Sequence, residues 1–306
     1  MGARERLSPA AVPEAAAYAA GMAEGTGGGG AGPLTTPSAT TQVAALVAAA
    51  HPAPAVAVTV LTALLAVAAG HSLGSGALVV AAVGTGQLSI GWSNDLIDAG
   101  RDRRVGRTDK PVATGAVAAP TVRVATVLAL LACVGLSLAC GWRAGLVHLG
   151  LGVASGWAYN LGLKRTVWSA VPYAVAFGAL TAVVSLALPD PAWPPVWMVA
   201  TGAVLGVGAH LLNALPDLAD DEATGVRGLP QRLGAGVVRV VAPLVLLAGS
   251  VVAVLGPAGP VPRSAAVAGG LCVVLAVVAV GGRGRVPFFA SIAIALVDVV
   301  SLVLRA

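Results

Sequence analysis

The sequence predicts an all-α polytopic membrane protein with nine transmembrane helices: two parallel four-helix repeats plus a ninth helix. Three observations carry this expectation. The chain is 57% hydrophobic and only 10% charged, against roughly 25% charged in an ordinary soluble domain. Its apolar residues fall in runs of about twenty, long enough to cross a bilayer as helices. One polar pattern is also written twice, once in each half of the chain.

Residues 1–40, rich in Gly, Ala, Pro and Thr, read as a disordered tail. They lack the compact basic start and apolar core of a signal peptide. The transmembrane domain is expected over 41–306. Its first apolar run, 53–70, begins beside Pro52 and Pro54, which interrupt its start. The second, 75–93, ends where the polar pattern begins. The others are 120–140, 143–161, 168–188, 195–213, 237–256, 264–281 and 286–304. In hydrocarbon every backbone polar group needs a partner within its own segment, so each run is expected to be a helix. Pairs such as Gly141/Gly145, Gly152/Gly156 and Gly202/Gly206 suit close helix approach. Cys133, Cys140 and Cys272 fall inside predicted helices, with neither zinc-site nor disulfide spacing, and read as small core residues. His148 falls mid-helix without an evident partner, His71 on an outer loop, and His210 one turn before Asn213, where it would line a site.

The basic residues set the topology. Fifteen of the 18 lie in the N-terminal tail or in the loops after helices 2, 4, 6 and 8; only Arg143, Arg263 and Arg305 lie on the other side. By the positive-inside rule the N-terminus is cytoplasmic, and nine crossings put the C-terminus outside. The net charge of +5 follows from this asymmetry and gives no case for nucleic acid. Nothing in the sequence indicates an obligatory protein partner.

The repeated pattern is N-x3-D-x3-D-x3-G-x4-P-x3-G. It runs Asn94, Asp98, Asp102, Gly106, Pro111, Gly115, and again Asn213, Asp217, Asp221, Gly225, Pro230, Gly234. The offset of 119 residues spans four helices, so the repeats are parallel, related by an axis along the membrane normal. Lys164 and Arg283 share the same offset. The chain has only 13 acidic residues, and eight fall in or beside these two segments. On a helix, residues i, i+4 and i+8 drift only about 40° per step, so each copy predicts one polar face. Asp95 lies beside the first stripe; Asp220 and Glu222 flank the second. Repeated acid at membrane helix ends is costly and points to function. Carboxylate and amide oxygens facing one another offer hard ligation suited to Mg²⁺, with Asp95, Asp98, Asp102, Asp217 and Asp221 as ligands. Arg107, Lys110, Lys164 and Arg227 lie on the same side, where cations complement diphosphate oxygens. Aromatic residues near these ends (Trp92, Trp157, Tyr159, Trp168, Tyr173) read as an interfacial belt or as ring faces for a carbocation. There is no P-loop, no dinucleotide fingerprint and no Ser-His-Asp order.

This constellation resembles the UbiA superfamily of membrane prenyltransferases over about residues 45–300. Asn94-Asp95-Leu96-Ile97-Asp98-Ala99-Gly100-Arg101-Asp102 is similar to that family's NDxxDxxxD motif, continued by Asp109-Lys110-Pro111 and Gly115. Asp217 to Asp221 is similar to its DxxxD motif, followed by Gly225, Arg227, Leu229 and Pro230. The Tyr159–Lys164 segment is similar to the end of the family's fourth helix. The resemblance implies a central cavity open sideways to lipid, two Mg²⁺ ions on the motif carboxylates, and an isoprenyl diphosphate donor held by Asn94, Arg107, Lys110, Lys164, Asn213 and Arg227. It implies catalytic roles for Asp98, Asp217 and Lys164, and transfer of the isoprenyl group to a lipophilic or aromatic acceptor in the membrane. The chain departs from members that use aromatic acids: His51-Pro52 stands near the basic residue at the start of their first helix, and no Arg or Lys lies mid-membrane. A terpene cyclase and a phosphoribosyl transferase acting on a lipid phosphate are alternatives on this scaffold. A cation-coupled transporter is the alternative of another class, and acids at one end of their helices fit it poorly.

Overall fold

Proline and glycine decide where the long apolar runs become separate helices. A computed structural model describes residues 38–283 and 286–303. Most of the expected N-terminal tail, with Arg4 and Arg6, lies outside the described residues, as do Arg285 and Arg305. The described residues are mostly helical, with no strand among them.

The first apolar run forms two helices, α1 (Ala39–Ala49) and α2 (Pro52–Ala68), bent by 67°. Proline disfavours the right-handed helical conformation for the residue before it, and His51 adopts the left-handed one at φ 53°. Helix α3 (Leu73–Arg104) starts at Ser72, whose hydroxyl accepts the Ser75 N–H. It runs 32 residues without a break. At 1.5 Å per residue that is about 48 Å, well beyond the roughly 30 Å of hydrocarbon. The first motif is therefore the continuation of a membrane helix. A loop with Gly106 at φ 70° leads to the single turn α4 (Pro111–Thr114) and to α5 (Ala119–Ala139).

The fourth run is continuous but irregular. Helix α6 (Trp142–Val147) passes through a π segment, His148–Val153, into α7 (Ala154–Leu161). A short 3₁₀ turn, Leu163–Arg165, carries Lys164. Helices α8 (Val171–Leu186) and α9 (Val196–Ala214) follow. Beyond α9 come a 3₁₀ turn, Leu215–Asp217, and α10 (Leu218–Ala223). The chain closes with α11 (Leu229–Leu255), α12 (Arg263–Gly281) and α13 (Val286–Val303).

Five described helices are long and apolar enough to cross a membrane, and six if α1 and α2 count as one bent span. Helices α8 and α13 are apolar but shorter. The chain is thus a multi-pass membrane protein. Its two largest apolar cores tie the helices together. Leu65, Val79, Val83, Leu180 and Val183 join α2, α3 and α8. Leu211, Val238, Leu246, Cys272 and Ile294 join α9, α11, α12 and α13.

One histidine expectation changes, and another gains a partner. His148 is partnered, its Nδ1 standing 2.7 Å from the buried Ser137 hydroxyl. His71 donates from Nε2 to the Val184 carbonyl at 2.9 Å, tying the α2–α3 turn to α8. The three cysteines are free, and Cys133 and Cys272 are buried.

Candidate active site

The last turns of α3 present three carboxylates to the protein interior. Asp95, Asp98 and Asp102 are each at most 2% exposed; Asp98 and Asp102 share the face expected of their i, i+4 spacing, and Asp95, expected beside that stripe, is buried with them. Asp95 Oδ2 accepts the Val112 N–H at 3.0 Å, pinning the turn α4 against α3. That turn follows Lys110, whose Nζ stands 3.1 Å from His51 Nε2. Asp98 Oδ2 accepts from Lys164 Nζ at 2.5 Å and from Arg101 Nη2 at 3.2 Å. Asp102 Oδ1 accepts from Arg101 Nε and Nη2, each at 3.4 Å.

The second motif does not repeat this geometry. Pro216 has no N–H for an α-helical bond, and the backbone tightens into the 3₁₀ turn that ends at Asp217. The expected single face of Asn213, Asp217 and Asp221 is broken there. Asn213 donates to the Tyr173 hydroxyl at 3.2 Å. Asp217, half-exposed, accepts from Arg107 Nη1 at 3.1 Å. Asp221 accepts from Gln231 Nε2 at 2.8 Å, and its other oxygen lies 3.6 Å from Arg101 Nη1. The side chain of Asp220 lies outside what the structure describes.

The two motifs nonetheless meet. Arg101 touches Asp98 and Asp102 of the first and Asp221 of the second. Arg107 clasps Asp109 through Nε and Nη2, both at 2.7 Å, while reaching Asp217. The hydrogen bond to Asp109 holds the Arg107 guanidinium above its usual pKa, and holds the Asp109 carboxyl down at about 2. Burial draws the Lys164 ammonium below its ordinary value, opposed by Asp98. Burial likewise pushes the Asp221 carboxyl up, opposed by Arg101.

A model of the UbiA prenyltransferase family matches residues 55–297, most of the chain and both motifs. The chain belongs to the UbiA prenyltransferase family. Among its relatives is the bacteriochlorophyll synthase 33 kDa chain of Cereibacter sphaeroides, 31% identical over 161 residues. That alignment covers 49% of this chain and 50% of the synthase, so the chain spans about half the length of the curated relative it matches. The UbiA fold is shared with three solved structures. A digeranylgeranylglyceryl phosphate synthase superposes with a TM-score of 0.65 at 13% identity, over 86% of this chain and 98% of the other. A UbiA homologue from Aeropyrum pernix gives 0.64 at 16%, over 81% and 97%. One from Archaeoglobus fulgidus, solved with geranyl diphosphate and Mg²⁺, gives 0.62 at 16%, over 84% and 99%.

Among the described residues of this UbiA protein, no three His, Cys, Asp or Glu side chains are gathered to hold an ion as they stand. Arginine and lysine lie among the carboxylates instead. The donor set still fits a hard cation. Asp95 Oδ1, Asp98 Oδ1 and Asp102 Oδ2 are buried oxygens without a hydrogen-bond partner. An unpartnered buried carboxylate oxygen is costly in a native fold, and a cation is its natural complement. Arg227, expected at the diphosphate, is exposed and lines an open cleft of about 470 Å³ with Glu222, Gln231 and Arg232. Among the described residues Lys164 and Arg107 pair with the motif carboxylates, whereas no ion pair joins Arg227 to them.

Sequence reasoning missed Arg101 and underused Asn160. Asn160 is buried; it accepts from Asn94 at 3.1 Å and donates to the Ile90 carbonyl and to Ser93 at 2.9 Å. It thereby fixes α7 against the start of the motif. The signal for Arg101 was its place three residues after Asp98, a neighbour on the helix surface. His210, expected to line the site, is buried beside it. Its Nε2 stands 3.0 Å from the Ser169 hydroxyl, which also accepts the Leu229 N–H. Its ring packs against Tyr159 and Tyr173.

Proposed function

We propose that this protein transfers an isoprenyl group from a polyprenyl diphosphate to a lipophilic or aromatic acceptor within the membrane, in a Mg²⁺-dependent reaction. The observation that carries this reading is the meeting of both acidic motifs, with basic side chains interleaved and buried carboxylate oxygens left unpartnered. Asp98, Asp102, Asp217 and Asp221 would hold the metal, Asp95 contributing through Oδ1. Bound there, the ion supplies Lewis-acid stabilisation to the departing diphosphate. Lys164 and Arg107 would bind diphosphate oxygens, placed by the 3₁₀ turn after α7 and the loop after α3, with Lys110 and Arg227 nearer the rim. Asn94 and Asn213 would orient the same group.

Within that frame the allylic C–O bond breaks and its electron pair stays on the diphosphate. The electron-rich acceptor then forms the new bond to the allylic carbon and gives up a proton. Preorganised cations lower the cost of the developing negative charge. Tyr159 and Tyr173, 5.3 Å apart edge to face, would shield the allylic cation from water with their ring faces. The fold's nine apolar runs are read as nine crossings, with the N-terminus cytoplasmic and the C-terminus outside. The bent pair α1–α2 and the π-interrupted α6–α7 would each count as one crossing. The relative named as a bacteriochlorophyll synthase and the homologue solved with geranyl diphosphate and Mg²⁺ support the substrate class and the metal.

The test uses purified protein in lipid nanodiscs with labelled geranylgeranyl diphosphate and a lipophilic phenol. Diphosphate release together with a prenylated product is expected, stopped by chelator and restored by Mg²⁺. Release with only cyclic hydrocarbon formed would favour a cyclase, and turnover that persists in chelator would refute the metal role.

A further inference from the structure

We propose that Arg101 is a built-in substitute for the divalent cation. Without metal its guanidinium neutralises Asp98, Asp102 and Asp221 and ties the two motifs together; on loading it passes from these carboxylates to the donor's diphosphate. This rests on the metal-dependent reading above. The geometry points to it in four ways. Arg101 is the one described side chain that contacts carboxylates of both the first and the second acidic stripe on its own, at 3.2, 3.4 and 3.6 Å.

None of those contacts is short. Charge-assisted N–H···O bonds settle near 2.7–2.9 Å, as the Arg107–Asp109 clasp does in the same neighbourhood. A guanidinium shared loosely among three acids is held by the field between them and is readily displaced. Next, the oxygens it leaves without partners, Asp98 Oδ1 and Asp102 Oδ2, belong to the very carboxylates it bridges. It meets part of the site's demand for positive charge, and a further cation is needed for the rest. Finally, a doubly charged ion among these acids repels a guanidinium beside it. The planar fork of Arg101 matches a phosphate as well as it matches a carboxylate. Anchored on the last turns of α3 and only 14% exposed, the side chain has a short path between the two partners.

The role is one of positioning. It keeps α3 and α10 in register before substrate arrives, and it delivers a cation to the diphosphate only when metal is present. This ordering would keep diphosphate from binding productively to the metal-free protein.

The experiment uses the wild-type full chain in nanodiscs, modified with phenylglyoxal and read by peptide mass spectrometry. Arg143, over the Trp142 ring at 5.3 Å, is the internal reference. Arg101 is expected to react slowly without metal and severalfold faster with Mn²⁺ alone. It should become slow again when inorganic diphosphate is added with Mn²⁺. In parallel, Mn²⁺ titration of Arg101→Gln should show roughly tenfold tighter binding than wild type, because one opposing unit charge is gone. Arg101→Lys should stay near wild type. If wild type binds Mn²⁺ while Arg101 reactivity is unchanged, or if Arg101→Gln binds Mn²⁺ no more tightly, the exchange role is wrong and the metal reading survives. If wild type binds no Mn²⁺, both fall together.

Discussion

Asp98 and Asp217 occupy matched places in the repeat, yet their surroundings make them different residues. Asp98 is buried between Lys164 and Arg101; Asp217 is 47% exposed and, among the described residues, paired with Arg107. Asp98→Asn leaves two largely buried cations facing a neutral amide. Breaking a buried pair from one side costs about 3–5 kcal/mol, so the Tm in detergent should fall clearly. Asp217→Asn removes a half-exposed pair, worth about 1 kcal/mol or less, and the Tm should barely move. Both changes should lower diphosphate release by at least about a hundredfold, the scale of losing one transition-state contact. Wild-type turnover in Asp217→Asn would show that the second motif does not serve the reaction. A third substitution separates binding from burial. Lys164→Met keeps the volume and removes the charge, and turnover should again fall by about a hundredfold. A rate within a factor of three of wild type, under the same assay, would remove Lys164 from the site.

Among the elements, α3 is the one whose sequence states its structure most fully. It has no proline between Leu73 and Arg104, so its apolar run and its acidic stripe stay in one register, and both were legible from spacing alone. The second copy hid its structure behind the same spacing. Pro216 stands where the first copy has Ile97, 119 residues earlier, and that one exchange turns a helical stripe into a 3₁₀ turn. Arg101 was not legible because an arginine in a basic loop reads equally well as a topology signal; only the approach of α10 shows its second partner. The bend between α1 and α2 was visible as Pro52 and Pro54, but not its packing. Gly91 of α3 faces that bend, and a Cβ there would stand 2.0 Å from the Ala50 carbonyl oxygen. Because the obstacle is backbone, Gly91→Ala should cost about 1–3 kcal/mol by overpacking. It should also raise the KM for the donor, since His51 beside Ala50 sits against Lys110. Gly100, on the same helix, has open space around its Cβ position. Gly100→Ala should raise stability by up to about 1 kcal/mol, the helix-propensity gain. Equal Tm values for Gly91→Ala and wild type would mean that the bend is not seated on α3 as described.

For the whole molecule, the repeated pattern and the charge asymmetry have separate consequences. The pattern supplies two acidic motifs, and they meet at one site. Three cations of the first motif have no counterpart: Arg101, Arg107 and Lys110 correspond, 119 residues on, to Asp220, Val226 and Leu229. The first half therefore supplies most of the positive charge and the second supplies acids for it to meet, which is why the halves join across the site through Arg101 and Arg107. In the proposed topology the same basic residues would hold the end of α3 that carries the motif on the cytoplasmic side, where Mg²⁺ and a diphosphate headgroup would be reached from water. One helix reports this directly. Leu73 opens α3 and is 92% exposed; Val105 follows its last turn and is 37% exposed. Single cysteines at these two positions, in a background with Cys133, Cys140 and Cys272 replaced by alanine, should behave oppositely toward a membrane-impermeant maleimide. In intact cells Leu73→Cys should label and Val105→Cys should not; after the membrane is opened both should label. Labelling of Val105→Cys in intact cells would turn the molecule over. The acidic site would then face away from the cytoplasm, and a donor diphosphate made there would have to cross the bilayer before it could be used.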